Sequence, residues 1–121
     1  MKEFLLGCNY WASNAGTRMW VEWDEETVVN DLKILSGHGV SVMRVFPNWK
    51  HFQPVEPVLT GGVGIYEYRL EGDRFPENPY WLDEVVLERF DRFCDLCQEY
   101  NIKLIVGLLT GWMSGRLFVP A

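Results

Sequence analysis

Arg44 carries the clearest chemistry in this chain. It alternates with Val42 and Phe46 in the apolar run Ser41-Val42-Met43-Arg44-Val45-Phe46. A guanidinium in such a run needs a partner, because an unpaired buried charge is costly. Its planar fork suits a carboxylate, held by charge-assisted hydrogen bonds. The functional reading is that Arg44 fixes a catalytic carboxylate. The structural alternative is an ion pair inside a core. The end of a strand in a parallel barrel is the catalytic face, which favours the functional reading. Tryptophans recur near the same ends: Asn9-Tyr10-Trp11, Phe46 with Trp49 following, and Thr110-Gly111-Trp112. Indole faces stack on the apolar faces of sugar rings, and an amphipathic ring suits binding sites generally. The alternative is that these rings only fill a rim.

The carboxylates are less informative. None of the 17 acidic residues ends an expected strand. Asp83, Glu84, Glu88, Asp91, Asp95 and Glu99 fall on or at the start of a helix, where a solvated face is the ordinary reading. Asp24, Glu25 and Glu26 suit a helix start. Glu67, Glu71, Asp73 and Glu77 lie in a long excursion, and nothing singles one out. Cys94-x-x-Cys97 has the spacing of a redox or metal motif, but both cysteines fall on the apolar face of a helix as small core residues. No second Cys pair or His cluster supports zinc, so neither metal nor cofactor is expected. His38, between two glycines at a helix end, reads as a surface residue.

These residues need elements to hold them. Phe4–Asn9, Ser41–Phe46 and Lys103–Leu109 are short apolar runs, as expected of parallel strands covered on both faces. Two amphipathic helices separate them. The first is capped by Asp24, carries Val28, Leu32 and Leu35 at helical spacing, and ends at Gly37-His38-Gly39. The second runs from Asp83 or Glu84 to Tyr100 with Val86, Phe90, Phe93, Cys94 and Cys97 on one face and Asn101 as C-cap. The pattern is β-α-β-α-β. Right-handed crossovers then place the strands in sequential order with both helices on one side. The fold class is α/β, the first part of a (β/α)8 TIM barrel, incomplete at residue 121 because such barrels take roughly 250 residues. Residues 1–121 form one N-terminal portion of one barrel domain. Residues 47–80 are too long for a βα loop of about 2–6 residues. They hold five of the six prolines and the alternating run Ile65–Leu70, which fits a small hairpin. This excursion is expected over the strand C-terminal ends, with Tyr66, Tyr68 and Tyr80 walling a groove.

Composition bounds the rest. At a net charge of −6 the chain is a poor partner for nucleic acid or anionic membrane. Six tryptophans, several in expected loops, suggest a binding surface with aromatic faces. The apolar stretch at Phe4–Cys8 is too short for a signal-peptide core of about 7–15 residues, and no run is long enough to span a membrane. With three unpaired-looking cysteines, a cytoplasmic location is expected. Oligomeric state is not legible.

Gly7-Cys8-Asn9-Tyr10-Trp11, Asp31-Leu32-Lys33-Ile34-Leu35 and Val42-Met43-Arg44-Val45-Phe46-x-x-Trp49 resemble the start of clan A retaining glycoside hydrolases, closest to family 5, the cellulase and mannanase group. The resemblance covers nearly the whole chain except residues 51–80. It implies a (β/α)8 barrel hydrolysing β-linked glycosides with two glutamates. The acid/base follows strand four and the nucleophile ends strand seven, both beyond this chain, so no catalytic residue lies within it. It makes Arg44 the arginine that bonds the nucleophile. Asn9, Trp11, Trp49 and Trp112, with Tyr66 and Tyr68, become candidate sugar-binding residues. Many family cellulases carry a His at the end of strand three. Thr110-Gly111-Trp112 stands there instead, which leans toward mannanase-like enzymes or other β-glycosidases. A non-catalytic carbohydrate-binding barrel is the alternative. An unrelated barrel enzyme that uses Arg44 to hold a phosphate or carboxylate is a third reading.

Overall fold

The computed structural model describes residues 2–62 and 64–121, with the backbone alone at 60, 65 and 66. A three-stranded parallel sheet organises the chain: β1 (Gly7–Asn9), β2 (Val42–Val45) and, after further elements, β5 (Lys103–Val106), in the order β1-β2-β5. Gly7, Val42 and Lys103 share one row, and Asn9, Arg44 and Ile105 share the next but one.

Helix α1 (Glu25–Gly37) starts at Asp24, whose carboxylate accepts the N–H groups of Glu26 and Thr27. That satisfies two of the donors a helix start leaves free. Hydrogen bonds from the Thr27 hydroxyl and backbone hold the Asp24 carboxyl below the usual carboxylate range. The helix closes at His38, and Gly39 follows with φ +86°, a left-handed conformation that glycine adopts at no steric cost. His38 is exposed, with Nδ1 2.8 Å from the Ile34 carbonyl. Helix α3 (Glu84–Glu99) starts at Asp83 and ends at Tyr100, and Asn101 then takes φ +56°. The cap is thus Tyr100, one place before the expected Asn101. The helices α1 and α3 pack on each other on one side of the sheet, tied by Arg92 to Glu25 at 2.6 Å.

The core lies between that helical layer and the sheet. Met43 and Val45 point into it and meet Val28, Leu32, Phe93 and Leu96. Trp20 is its largest fully buried side chain. It donates from Nε1 to the Phe46 carbonyl at 3.0 Å, packs edge-on against Phe93, and stacks on Trp23. Two loop tryptophans therefore serve the core rather than a binding surface. A buried indole N–H needs an acceptor, and a free strand-end carbonyl supplies one.

Three expectations need correction. The first strand is short: Phe4, Leu5 and Leu6 are 89%, 46% and 44% exposed, because β1 is an edge strand paired only with β2. The sheet is covered on one face only, so Gly7, Asn9, Arg44, Lys103 and Ile105 face solvent. The third parallel strand stops at Val106, not Leu109. Gly107 sits so close to Phe46 that a Cβ there would lie 3.3 Å from Cδ1, and Leu109 turns the chain with φ +54°. One isolated parallel bridge, Asn48 to Thr110, continues the pairing past this break.

Between β2 and α3 lie a one-turn helix, α2 (Trp49–Phe52), and an antiparallel hairpin, β3 (Val55–Thr60) with β4 (Ile65–Leu70). A second, two-residue hairpin follows β5: β6 (Trp112–Met113) with β7 (Arg116–Leu117).

Candidate functional site

The C-terminal ends of β2 and β5 are where the chain brings its aromatic and polar residues together. Arg44 projects from the open sheet face. It is exposed, and among the described residues no carboxylate pairs with it. Its guanidinium carbon lies 4.8 Å from the Phe46 ring centroid instead. Within these residues, solvent and an aromatic face accommodate the charge. Trp11 stacks on the same Phe46, ring centroids 5.4 Å apart. Arg44, Phe46 and Trp11 thus form one group, with Asn9 in register beside Arg44 on the neighbouring strand.

Asn9 and Trp11 also line a cavity of about 270 Å³ with Cys8, Tyr10, Ser13 and Asp31. There the Tyr10 hydroxyl donates to Asp31 Oδ2 at 3.0 Å, and Ser13 donates to Asp31 from both its backbone N–H and its hydroxyl. Burial, and then the Asp31 charge, push the Tyr10 phenol well above its usual pKa. This network anchors the loop after β1 to α1.

A larger cavity, about 570 Å³, opens at the ends of β2 and β5. Trp49, Phe52 and Gln53 form one wall, Pro79 to Leu82 another, and Leu108 and Leu109 a third. Trp49 N–H donates to the Thr110 carbonyl at 3.0 Å, which fixes α2 against the turn after β5. Asn48, fully buried, donates to the Thr17 carbonyl at 2.8 Å and ties in the first loop.

The three strand-end tryptophans do not share one cavity. Trp11 belongs with Phe46, and Trp49 with Trp81, while Trp112 is 63% exposed in the β6–β7 hairpin and lines neither pocket. Tyr68 is 53% exposed on β4, opposite Pro57. The Tyr66 side chain lies outside the described residues. Sequence reasoning missed Phe46 as the centre of the first group, and Gln53 and Trp81 in the second. Pro79-Tyr80-Trp81 was the available signal, an aromatic pair beside a proline at the end of a long excursion.

Cys8, Cys94 and Cys97 are free thiols. Burial pushes the Cys97 thiol up to about 12 and raises Cys94 as well. Neither is a ready thiolate near neutral pH, as a redox or metal motif would need. No group of three or more His, Cys, Asp or Glu is placed to hold a metal ion among the described residues. No helix described is long and apolar enough to cross a membrane.

No protein-family model and no curated protein matches the chain. Solved structures do. An exo-β-1,4-mannosidase from Opitutaceae bacterium strain TAV5 is 28% identical over 96% of this chain, with a TM-score of 0.72. A GH5_18 protein from Streptomyces cattleya, solved with Manβ1-4GlcNAc, is 26% identical over 95%, with a TM-score of 0.71. The chain resembles the N-terminal part of a family 5 glycoside hydrolase. The GH5_18 protein of Bifidobacterium longum subsp. longum ATCC 55813 shares the fold at 22% identity, with a TM-score of 0.74 over 99% of this chain. The chain spans 16%, 22% and 23% of those three proteins respectively, about a fifth of their length. The family 5 resemblance, first legible around Asn9 and Arg44, thus extends through the 51–80 excursion that the sequence motifs left out.

Proposed function

We propose that this chain is the opening part of a (β/α)8 barrel glycosidase that cleaves β-linked mannosides by a retaining two-glutamate mechanism. The observation that carries the reading is the open sheet face. Asn9 and Arg44 stand in register at the ends of adjacent parallel strands, beside Trp11 and Phe46. Active sites of parallel barrels sit at the C-terminal ends of the strands, and Asn9 ends β1 while Arg44 stands one residue before the end of β2. The solved relatives above 25% identity, one of them an exo-β-1,4-mannosidase, support the substrate class.

In this reading both glutamates belong to later strands. Retaining hydrolysis needs two carboxyl groups about 5–5.5 Å apart across the scissile bond. Arg44, with no carboxylate partner among the described residues, is free to bond one of them. Its charge keeps that nucleophile ionised by lowering its pKa, and its fork fixes the carboxylate plane. Asn9 donates to sugar hydroxyls, and Trp11 and Trp49 stack on pyranose rings. Residues 47–80 cap the strand C-terminal ends.

The deciding experiment is an assay of the full-length protein on 4-nitrophenyl β-mannoside and β-1,4-mannobiose, with product anomers followed by NMR. Release of the β-anomer supports the reading. Binding without cleavage selects a carbohydrate-binding barrel instead, and an α-anomer product ends the retaining mechanism.

A further inference from the structure

Arg44 has a fixed backbone and a long, flexible side chain. Its carbonyl accepts the Tyr10 N–H at 2.9 Å, and β1 and β5 flank it in register. No described carboxylate holds its guanidinium. Fixing the head of an arginine costs rotamer freedom. A fork that must meet a carboxylate in one plane therefore works best when something orients it beforehand.

Phe46 supplies a flat support. The Arg44 guanidinium carbon lies 4.8 Å from the ring centroid, within reach of a cation–π contact. A guanidinium stacks by its face, whereas a carboxylate bonds its N–H edge, in the plane of the fork. The two contacts do not compete. A carboxylate brought by a later strand completes the arrangement without displacing the ring.

The ring is itself seated. Phe46 is only 5% exposed although it stands beside the open face. Trp11 stacks on it with an interplanar angle of 23°, and the Trp20 indole holds its carbonyl from the core side. On the β5 side, the Gly107 N–H donates to the Val45 carbonyl at 2.9 Å. A Cβ at Gly107 would lie 3.3 Å from Phe46 Cδ1, so a side chain there would press the ring out of place. Gly107 does not take the left-handed conformation, so glycine there provides close approach rather than backbone freedom.

We propose that Phe46 is the positioning residue for Arg44: its ring, seated by Trp11 and Gly107, fixes the plane of the guanidinium fork so that the fork meets the nucleophile carboxylate edge-on. The proposal rests on the glycosidase reading for the reaction that Arg44 serves, and adds the residues that orient it. A ring that only fills the rim predicts a loss independent of residue 44. A ring that acts through Arg44 predicts a loss that vanishes with the fork.

A double-mutant cycle in the full-length protein, assayed on 4-nitrophenyl β-mannoside, separates these. Phe46→Leu removes the flat face and keeps an apolar side chain. It should lower kcat about tenfold, between the scales of an exposed and a desolvated cation–π contact, with KM changed by less than about twofold. In the Arg44→Lys background no fork remains to be oriented, and the same substitution should cost less than about twofold. Equal losses in both backgrounds, or a loss confined to KM, overturn the positioning role and leave the glycosidase reading standing. If Phe46→Leu does not fold, Gly107→Ala takes its place, because it shifts the ring without removing it. Its loss of kcat should likewise disappear in the Arg44→Lys background. A second readout needs no turnover. In NMR of protein carrying labelled arginine, the Arg44 Nε–H resonance, assigned by its loss in Arg44→Lys, should be displaced by the ring and should move in Phe46→Leu or Gly107→Ala. A resonance that stays in place overturns the contact. If the resonance moves but the unmutated protein hydrolyses no β-mannoside, the ring–guanidinium pair stands and the glycosidase reading ends.

Discussion

Arg44 and His51 place charge chemistry in very different surroundings. Arg44 is exposed over Phe46, a contact worth about 0.5–1 kcal/mol at such a site, so little of the fold depends on it. Its cost of substitution should therefore appear in catalysis. In the full-length enzyme Arg44→Lys is expected to lower turnover about a hundredfold, the scale of losing one oriented donor at developing charge. Sugar affinity by calorimetry and the thermal midpoint should hardly move. A variant that unfolds would assign Arg44 to structure, and normal turnover would remove it from the mechanism. His51 is half-buried, edge-on to Phe118, with Nδ1 3.4 Å from the Asn48 amide nitrogen. Burial lowers its pKa below 6.5; nearby Arg18 and Lys50 lower it further, and Glu71 opposes them. The sign of the linkage follows. Unfolded chains take up the proton near 6.5 while the folded chain does so only at lower pH. Stability is thus complete above 6.5 and falls as pH drops toward the folded value. Urea midpoints at pH 7.5 and 5.0 should show the fall, and His51→Gln should reduce it. A slope unchanged by that substitution would place its origin in the carboxylates.

At the scale of elements, capping separates the two long helices. Asp24 and Asp83 both accept two backbone N–H groups, but Asp83 is 7% exposed and also receives Arg74 at 2.7 Å. Asp24→Ala should lower the urea midpoint through the lost cap alone. Asp83→Ala should cost more, roughly 1–2 kcal/mol, because it also removes the carboxylate paired with the exposed Arg74 guanidinium. Urea denaturation of the two variants checks the order, and equal losses would mean that the Arg74 pair contributes nothing. Both caps were readable in the sequence, since Asp before Glu-Glu and Asp before Glu announce helix starts by local chemistry alone. The 3.6-residue stripes at Val28-Leu32 and Val86-Phe93-Cys97 were equally local. The strand ends were not. Whether Phe4–Leu6 pairs depends on a neighbour to one side of β1, and the stop at Val106 depends on contact with Phe46 across the sheet. Trp20 illustrates the same limit. Its loop position pointed to solvent, and a strand-end carbonyl 26 residues away holds it in the core. The site divides likewise. Asn9 and Arg44 could be named from strand periodicity. Gln53 acts through partners 4 and 27 residues distant, and no periodicity reports that.

The whole molecule is a sheet with one finished face. Helices α1 and α3 bury Met43 and Val45, while Ile105, Leu108 and Leu109 stay 56%, 75% and 70% exposed on or beside the other face. Both β1 and β5 also present an edge without a partner strand among the described residues. Unpaired parallel edges next to exposed aliphatic side chains are templates for association. In the proposed barrel, later strands cover both edges and the open face, and they bring the two glutamates to Arg44. On that proposal the 121 residues alone have the stacking surfaces without the acid and the nucleophile. Aromatic contacts hold a sugar but break no bond, because retaining cleavage requires the carboxyl pair. The isolated chain should therefore release no nitrophenol from 4-nitrophenyl β-mannoside above the buffer rate, and sedimentation should show it associating as its concentration rises. The longer protein, with its edges covered, should sediment without that dependence. Turnover by a monomeric 121-residue chain would end the two-glutamate assignment, since every carboxylate capable of the work would then lie among residues already described.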